Sequence, residues 1–126
     1  MNGYVHLLGD RDDVARLLAG IDVFVLTSDD EGIPGVVIEA EMAGCCVVAP
    51  DIGGLAALVA NGHTGMLTAR ADARELAACV VDVLRDRDRR VQMGDNARKF
   101  AAQFSSERAA ATYLKRFEEL LATRRA

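Results

Sequence analysis

Glu31 and Glu39, eight residues apart, bracket the segment Gly32-Ile33-Pro34-Gly35, which leads into a helical pattern. A carboxylate accepts two hydrogen bonds at once, which suits it to the hydroxyls of a ribose or hexose. The two glycines let the backbone come close to a ligand. A helix opening near Pro34 exposes free N–H groups, and its dipole favours an anion by about 0.3–1 kcal/mol at a surface. Phosphate is the natural guest there. Plainer roles stand beside this one: Glu31 can favour the helix start electrostatically, and Glu39 can be solvated on the outer face. Because Glu39 stands among Val36, Val37, Ile38, Ala40 and Met42, its partial burial, with a ligand as partner, is expected.

The elements around this segment place it at a sheet edge. Val23-Phe24-Val25-Leu26-Thr27 is a continuous apolar run, the pattern of a parallel strand covered on both faces. Cys46-Val47-Val48-Ala49, stopped by Pro50, and the short Gly65-Met66-Leu67-Thr68 read the same way. Tyr4-Val5-His6-Leu7-Leu8 reads as a further strand ending at Gly9. Asp10 is then expected to cap a helix carrying Val14, Leu17 and Leu18 and closed by Gly20. Ile33 to Ala43 is long enough for a helix with Pro34 in its first turn. Strand–helix alternation of this kind predicts an α/β fold. The architecture is a partial Rossmann-like domain, a mostly parallel sheet of about four strands with helices on both faces. Ligands of such sheets bind beyond the carboxyl ends of the strands, where Ser28 to Gly35 falls.

The second half reads as helix. Asp72-Ala73-Arg74-Glu75 has the form of a capping box, followed by an apolar face of Leu76, Val80, Val83 and Leu84. Met93, Ala97, Phe100 and Phe104 form one stripe, and Tyr113, Phe117, Leu120 and Leu121 another on the last helix, which opens at Ser105 or Ser106. At helical spacing both stripes are expected to be core, although the second has the alternative of packing on a further domain.

At 126 residues the chain has room for one domain, residues 1–126, with one core. A net charge of −4, with arginines interleaved among aspartates, excludes a nucleic-acid-binding module built on clustered Lys and Arg. No apolar run approaches the roughly 20 residues of a membrane span, and no signal peptide is visible. The expected location is the cytoplasm or the cytosolic face of a membrane. Cys45, Cys46 and Cys79 fit neither a disulfide framework nor zinc-ligand spacing and read as small apolar residues in a reducing compartment. His63, in Asn61-Gly62-His63-Thr64-Gly65, reads as a turn residue before an acid or base, and His6 as structural. Gly53-Gly54 either lines the ligand cleft or allows a tight strand-to-helix passage.

Asp22-Val23-Phe24-Val25-Leu26-Thr27-Ser28, Glu31-Gly32, Glu39-Ala40, Gly44, Val47-Val48-Ala49, Gly53-Gly54 and Gly62-His63-Thr64-Gly65 follow one another in a fixed order. That series resembles the carboxyl-terminal, nucleotide-sugar-binding domain of family-four glycosyltransferases, enzymes of the two-Rossmann-domain GT-B fold. Glu31 and Glu39 match their E-x7-E motif. Asp72-x-x-Glu75-Leu76-Ala77, Met93-Gly94 and Phe104-Ser105 extend the resemblance over nearly the whole chain.

The resemblance implies that Glu31 contacts donor-sugar hydroxyls as the catalytic-site glutamate and that Glu39 binds the ribose. Backbone N–H groups of Gly32, Ile33, Pro34, Gly35 and Val36 form the donor-binding loop; of these Pro34 has no N–H to give. The donor is a nucleotide-diphosphate sugar, a substrate rather than a cofactor. Retention of anomeric configuration is expected, with no bound metal, the departing diphosphate being stabilised electrostatically. The family's diphosphate-binding Arg and Lys, its first two donor-domain strands and its acceptor domain have no counterpart in this sequence. The expected partner is therefore a missing N-terminal acceptor domain or a separate subunit, and the isolated chain is expected to be inactive. To cover the exposed sheet edge the chain is expected to form a homodimer, exchange an element, or move Tyr4–Leu8 beside Val23–Thr27. Local departures are Glu41-Met42 in place of Met-Ala, Cys46 for proline, Ala57 for glutamate and Ser106 for Trp. Two other functions compete: a non-catalytic donor-binding subunit of a split transferase, and a receiver-like module using Asp29 or Asp30.

Overall fold

The computed structural model describes residues 3–125. In chain order these form α1 (Val14–Leu18), β1 (Val23–Val25), α2 (Gly35–Ala43), β2 (Cys46–Pro50), α3 (Leu55–Leu58), β3 (Gly65–Thr68), α4 (Ala73–Arg85), α5 (Arg87–Ala101) and α6 (Ser106–Arg125). A 3-10 turn, Ala102–Phe104, joins the last two helices.

The three strands form one parallel sheet in the order β1-β2-β3. All five residues of β2 are buried, as a central strand covered on both faces requires. Alternation splits them between two cores. Val47 and Ala49 join Leu18, Val37, Ala40, Leu55 and Leu58 beneath α1, α2 and α3. Cys46 and Val48 join Val83 and Met93 beneath α4 and α5. Helices on both faces of a parallel sheet are what the sequence pattern predicts. β2 takes in Pro50 as its last residue, where a missing donor costs nothing inside the ladder.

Helix ends follow their local chemistry. Asp72 accepts from the N–H groups of Arg74 at 3.0 Å and Glu75 at 2.9 Å. Glu75 reaches past the cap to accept from Ala69 N at 2.8 Å instead of closing the expected reciprocal box. α1 starts after Asp13 and not at Asp10, and the Asp13 carboxylate makes no cap, being paired with the Arg11 guanidinium at 2.6 Å and 2.7 Å. α2 and α5 approach closely at Gly94, where a Cβ would stand 2.1 Å from Gly44 O. Arg98 then reaches across to donate to Ala43 O at 2.8 Å at the end of α2.

Further expectations fail. Tyr4–Leu8 makes no strand among the described residues, and Tyr4 and Leu7 are both 96% exposed. The sheet ends at β1, and an extended segment with no adjacent strand has nothing to pair its backbone with. The segment forms no ladder with β1. The stripe of Tyr113, Phe117, Leu120 and Leu121 is exposed and not core. α6 packs on the Ala102–Phe104 turn and extends from it into solvent. The earlier stripe divides: Met93 and Ala97 are buried, while Phe100 and Phe104 are half-buried and meet edge-on at 5.8 Å. Among the described residues no helix is long and apolar enough to cross a membrane.

Candidate functional site

β1 hands the chain to the candidate loop at the carboxyl edge of the sheet. Leu26 N still donates to Val48 O at 3.1 Å, after which the backbone leaves the ladder. Ser28 Oγ donates to Glu31 Oε1 at 2.6 Å, a short bond of the charge-assisted kind. Glu31 is half-buried, whereas Gly32, Ile33 and Gly35 are exposed. The buried Pro34 precedes the first turn of α2 with φ −72° and ψ 111°. No side chain caps that turn, so the N–H groups of Gly35 and Val36 remain for solvent or an anion.

Gly53 and Gly54 come from the turn between β2 and α3 and press on this loop from the side. Gly53 has φ +51°, and a Cβ there would stand 1.7 Å from Glu31 O. Gly54 N donates to Gly32 O at 2.8 Å. Glu31, Gly32, Ile33, Gly53 and Gly54 thus form one contact group, with Gly35 and Val36 next along the chain. Glu39 lies apart, exposed on α2 at the rim of a groove floored by Leu18 and Ala43. The expectation of its partial burial is not met. A separate cavity of about 230 Å³ lies beyond the strand ends, lined by Thr27, Ser28, Asp29, Pro50, Thr68 and the start of α4. Ser28 is its link to the Glu31 loop.

The carboxylate that α2 does bury is Glu41, with no exposed surface. Val37, Ala40 and Glu41 stand at i, i+3 and i+4, the inward face of the helix. Neither Glu41 oxygen has a hydrogen-bond partner among the described residues. Burial pushes its pKa from 4.5 up to about 7. The buried Thr64 side chain opposes that rise from outside hydrogen-bonding geometry, and its hydroxyl oxygen accepts from Ala60 N at 2.9 Å. Sequence reasoning passed over Glu41 as a site and registered it as a departure at a position where the family has methionine. Its i+4 spacing from Val37 was the available signal.

The remaining candidates are structural in their surroundings. Cys45 Sγ donates to Leu18 O at 3.0 Å, and Cys46 Sγ lies 3.6 Å from Met93 Sδ. Burial raises both thiols, Cys46 to about 11, so neither carries thiolate reactivity. His63 is exposed in its turn, where Asn96 Nδ2 donates to its carbonyl at 3.1 Å. Among the described residues no three His, Cys, Asp or Glu side chains gather as metal ligands.

A loop bearing a fixed carboxylate at the carboxyl edge of a parallel sheet, followed by an uncapped helix, suits an anionic, hydroxyl-bearing ligand. The family profile described as Glycosyl transferases group 1 matches residues 1–86. The chain belongs to the group 1 glycosyltransferases. Over 120 residues it is 32% identical to the N,N'-diacetylbacillosaminyl-diphospho-undecaprenol alpha-1,3-N-acetylgalactosaminyltransferase of Campylobacter jejuni. That match covers 95% of this chain and 32% of the relative. It is 38% identical over 119 residues to D-inositol 3-phosphate glycosyltransferase 2 of Catenulispora acidiphila, covering 91% and 28% of the two chains. The crystal structure of HepE from Anabaena in complex with UDP and glucose superposes with a TM-score of 0.84 at 31% identity, covering 97% of this chain and 33% of that one. Sucrose-phosphate synthase from Thermosynechococcus elongatus gives 0.80 at 30% identity, covering 85% and 27%. As a group 1 glycosyltransferase chain it has the α/β architecture of GT-B domains, and it spans about a third of the length of the curated relatives it matches.

Proposed function

We propose that the chain is the donor-binding portion of a retaining glycosyltransferase that moves a sugar from a nucleotide-diphosphate sugar to an acceptor held elsewhere. The observation that carries this reading is the Glu31 loop, its carboxylate anchored by Ser28, leading into the uncapped start of α2. In this reading Glu31 accepts from donor-sugar hydroxyls and Glu39, exposed and unencumbered, accepts from the ribose. The backbone from Gly32 to Val36 faces the sugar and diphosphate and stabilises the departing charge. The complexes of HepE with UDP and glucose, and with UDP-glucose, support a nucleotide-sugar donor.

Sugar transfer then needs an acceptor domain, supplied by the same polypeptide or by a separate subunit, and residues 1–126 transfer no sugar alone. The unpaired edge of β1 and the exposed Tyr4–Leu8 favour a partner there, either a second copy with exchange of an element or the acceptor domain. The same reading sets the chain in the cytoplasm or at the cytosolic face of a membrane, which suits its free cysteines.

Titration calorimetry with paired ligands, each nucleotide diphosphate against its sugar conjugate, tests the reading. Binding of at least one nucleotide sugar, weakened by Glu39→Ala, is the expected result. Failure of uridine, guanosine and adenosine diphosphate sugars alike to bind up to millimolar concentration would remove it.

A further inference from the structure

Glu31 is held from two directions by groups outside the paired-glutamate motif. From one side Ser28 Oγ donates to Glu31 Oε1 at 2.6 Å, the side-chain hydrogen bond that Glu31 makes among the described residues, which leaves Oε2 to a ligand. From the other side the Gly53-Gly54 turn touches the loop backbone. A Cβ at Gly53 would stand 1.7 Å from Glu31 O, and one at Gly54 would stand 2.5 Å from Gly32 O and 3.0 Å from Ile33 Cγ1. Gly54 N donates to that same Gly32 O at 2.8 Å. Any side chain in the turn would push the loop away, because the nearest atoms it would meet are the backbone carbonyls of Glu31 and Gly32, which cannot swing aside.

Resting on the donor-binding reading above, we infer that Ser28 and the Gly53-Gly54 turn are positioning residues for sugar recognition by Glu31. The turn sets where the loop stands above the sheet, and Ser28 sets where the carboxylate points. A glutamate on an exposed loop must otherwise be ordered when the sugar arrives. Holding it beforehand removes that cost from binding. The turn therefore acts through the Glu31 loop and not as a wall of the cleft.

The test uses UDP and UDP-glucose with the wild-type chain, Ser28→Ala and Ser28→Thr. Ser28→Ala is expected to lower the ratio of UDP-glucose affinity to UDP affinity by about three- to tenfold, the worth of one hydrogen bond. UDP affinity itself stays unchanged, and Ser28→Thr, which keeps the hydroxyl, regains most of the ratio. An unchanged ratio in Ser28→Ala overturns the inference. Two ligand-free measurements separate it from the donor reading: side-chain couplings of Glu31 and hydrogen exchange of the Gly54 amide. A single Glu31 rotamer that averages in Ser28→Ala, with Gly54 protection lost in Gly53→Ala, supports the positioning role. Rotamer averaging already in the wild type overturns it. A wild-type chain that binds neither ligand counts against uridine-nucleotide donors, while these two measurements still decide the positioning claim.

Discussion

The two ends of α2 treat a carboxylate in opposite ways. Before the helix, Glu31 is half-exposed, fixed by a serine and braced by a glycine turn. Near its end, Glu41 is fully buried beside the Thr64 side chain, on the helix that packs against α5, with neither oxygen hydrogen-bonded among the described residues. The first arrangement keeps a charge available and oriented. The second raises the free energy of the fold, since a buried unpaired carboxylate loses its water and gains no partner. The contrast separates a carboxylate suited to binding from one the fold tolerates, a distinction that residue type alone does not make.

The largest expected effect concerns Glu41. Its folded-state pKa of about 7 lies above the ordinary 4.5, so the proton favours the fold. This contribution is complete below about pH 4.5 and is lost as pH rises to about 7, amounting to about 3 kcal/mol. Urea unfolding should show stability falling across that window, and Glu41→Gln should flatten the fall. Glu41→Met should raise stability at pH 8 by about 2–3 kcal/mol, because it removes the charge and fills the same space. A midpoint independent of pH in the wild type would erase the contrast.

Effects at the other end of α2 are smaller and appear in binding. Glu39→Ala should weaken nucleotide affinity about tenfold through lost ribose contacts, whether or not a sugar is attached. Glu31→Ala should leave the bare nucleotide unaffected and cost the sugar conjugate about three- to tenfold, read by the same calorimetry. Equal losses for both ligands in both variants would mean that the two glutamates do not divide the donor between them.

How much of this was legible in the sequence depended on how local the cause was. β3 and the Asp72 cap were readable because a short apolar run and a capping side chain are properties of adjacent residues. The position of the Glu31 loop beyond β1 and before α2 was readable from the apolar run and the Pro34 helix start on either side of it, while the role of Glu31 there is the proposal made above. Tyr4–Leu8 was misread because a strand exists only beside another strand, and the sequence pattern of a strand cannot supply its neighbour. The stripe on α6 was misread for a similar reason: periodicity shows that a helix has an apolar face, not that anything covers it. Glu39 and Glu41 were confused in burial because apolar neighbours in sequence point to different sides of a helix. The phase set by Val37 and Ala40 decides, and it selects Glu41. The support from Ser28 and Gly53-Gly54 depends on contacts across a loop and between separate turns, for which spacing carries no signal.

The smallest expected effect belongs to α6. Because this helix is exposed from Ser106 to Arg124, ending the chain at Ser105 should change the free energy of unfolding by less than about 1 kcal/mol. A larger loss would show that the stripe of Tyr113, Phe117, Leu120 and Leu121 is covered in solution.

Amide chemical-shift mapping of the 15N-labelled chain, titrated with a nucleotide sugar to millimolar concentration, tests the central claim most directly. The account expects the perturbed amides to cluster at Glu31, Gly32, Ile33, Gly35 and Val36 and to include Glu39, with a weaker response at Gly53 and Gly54 and none at Thr64, beside the buried Glu41 carboxylate. Perturbation confined to other surfaces, with the Glu31 loop silent under every nucleotide sugar, would contradict it.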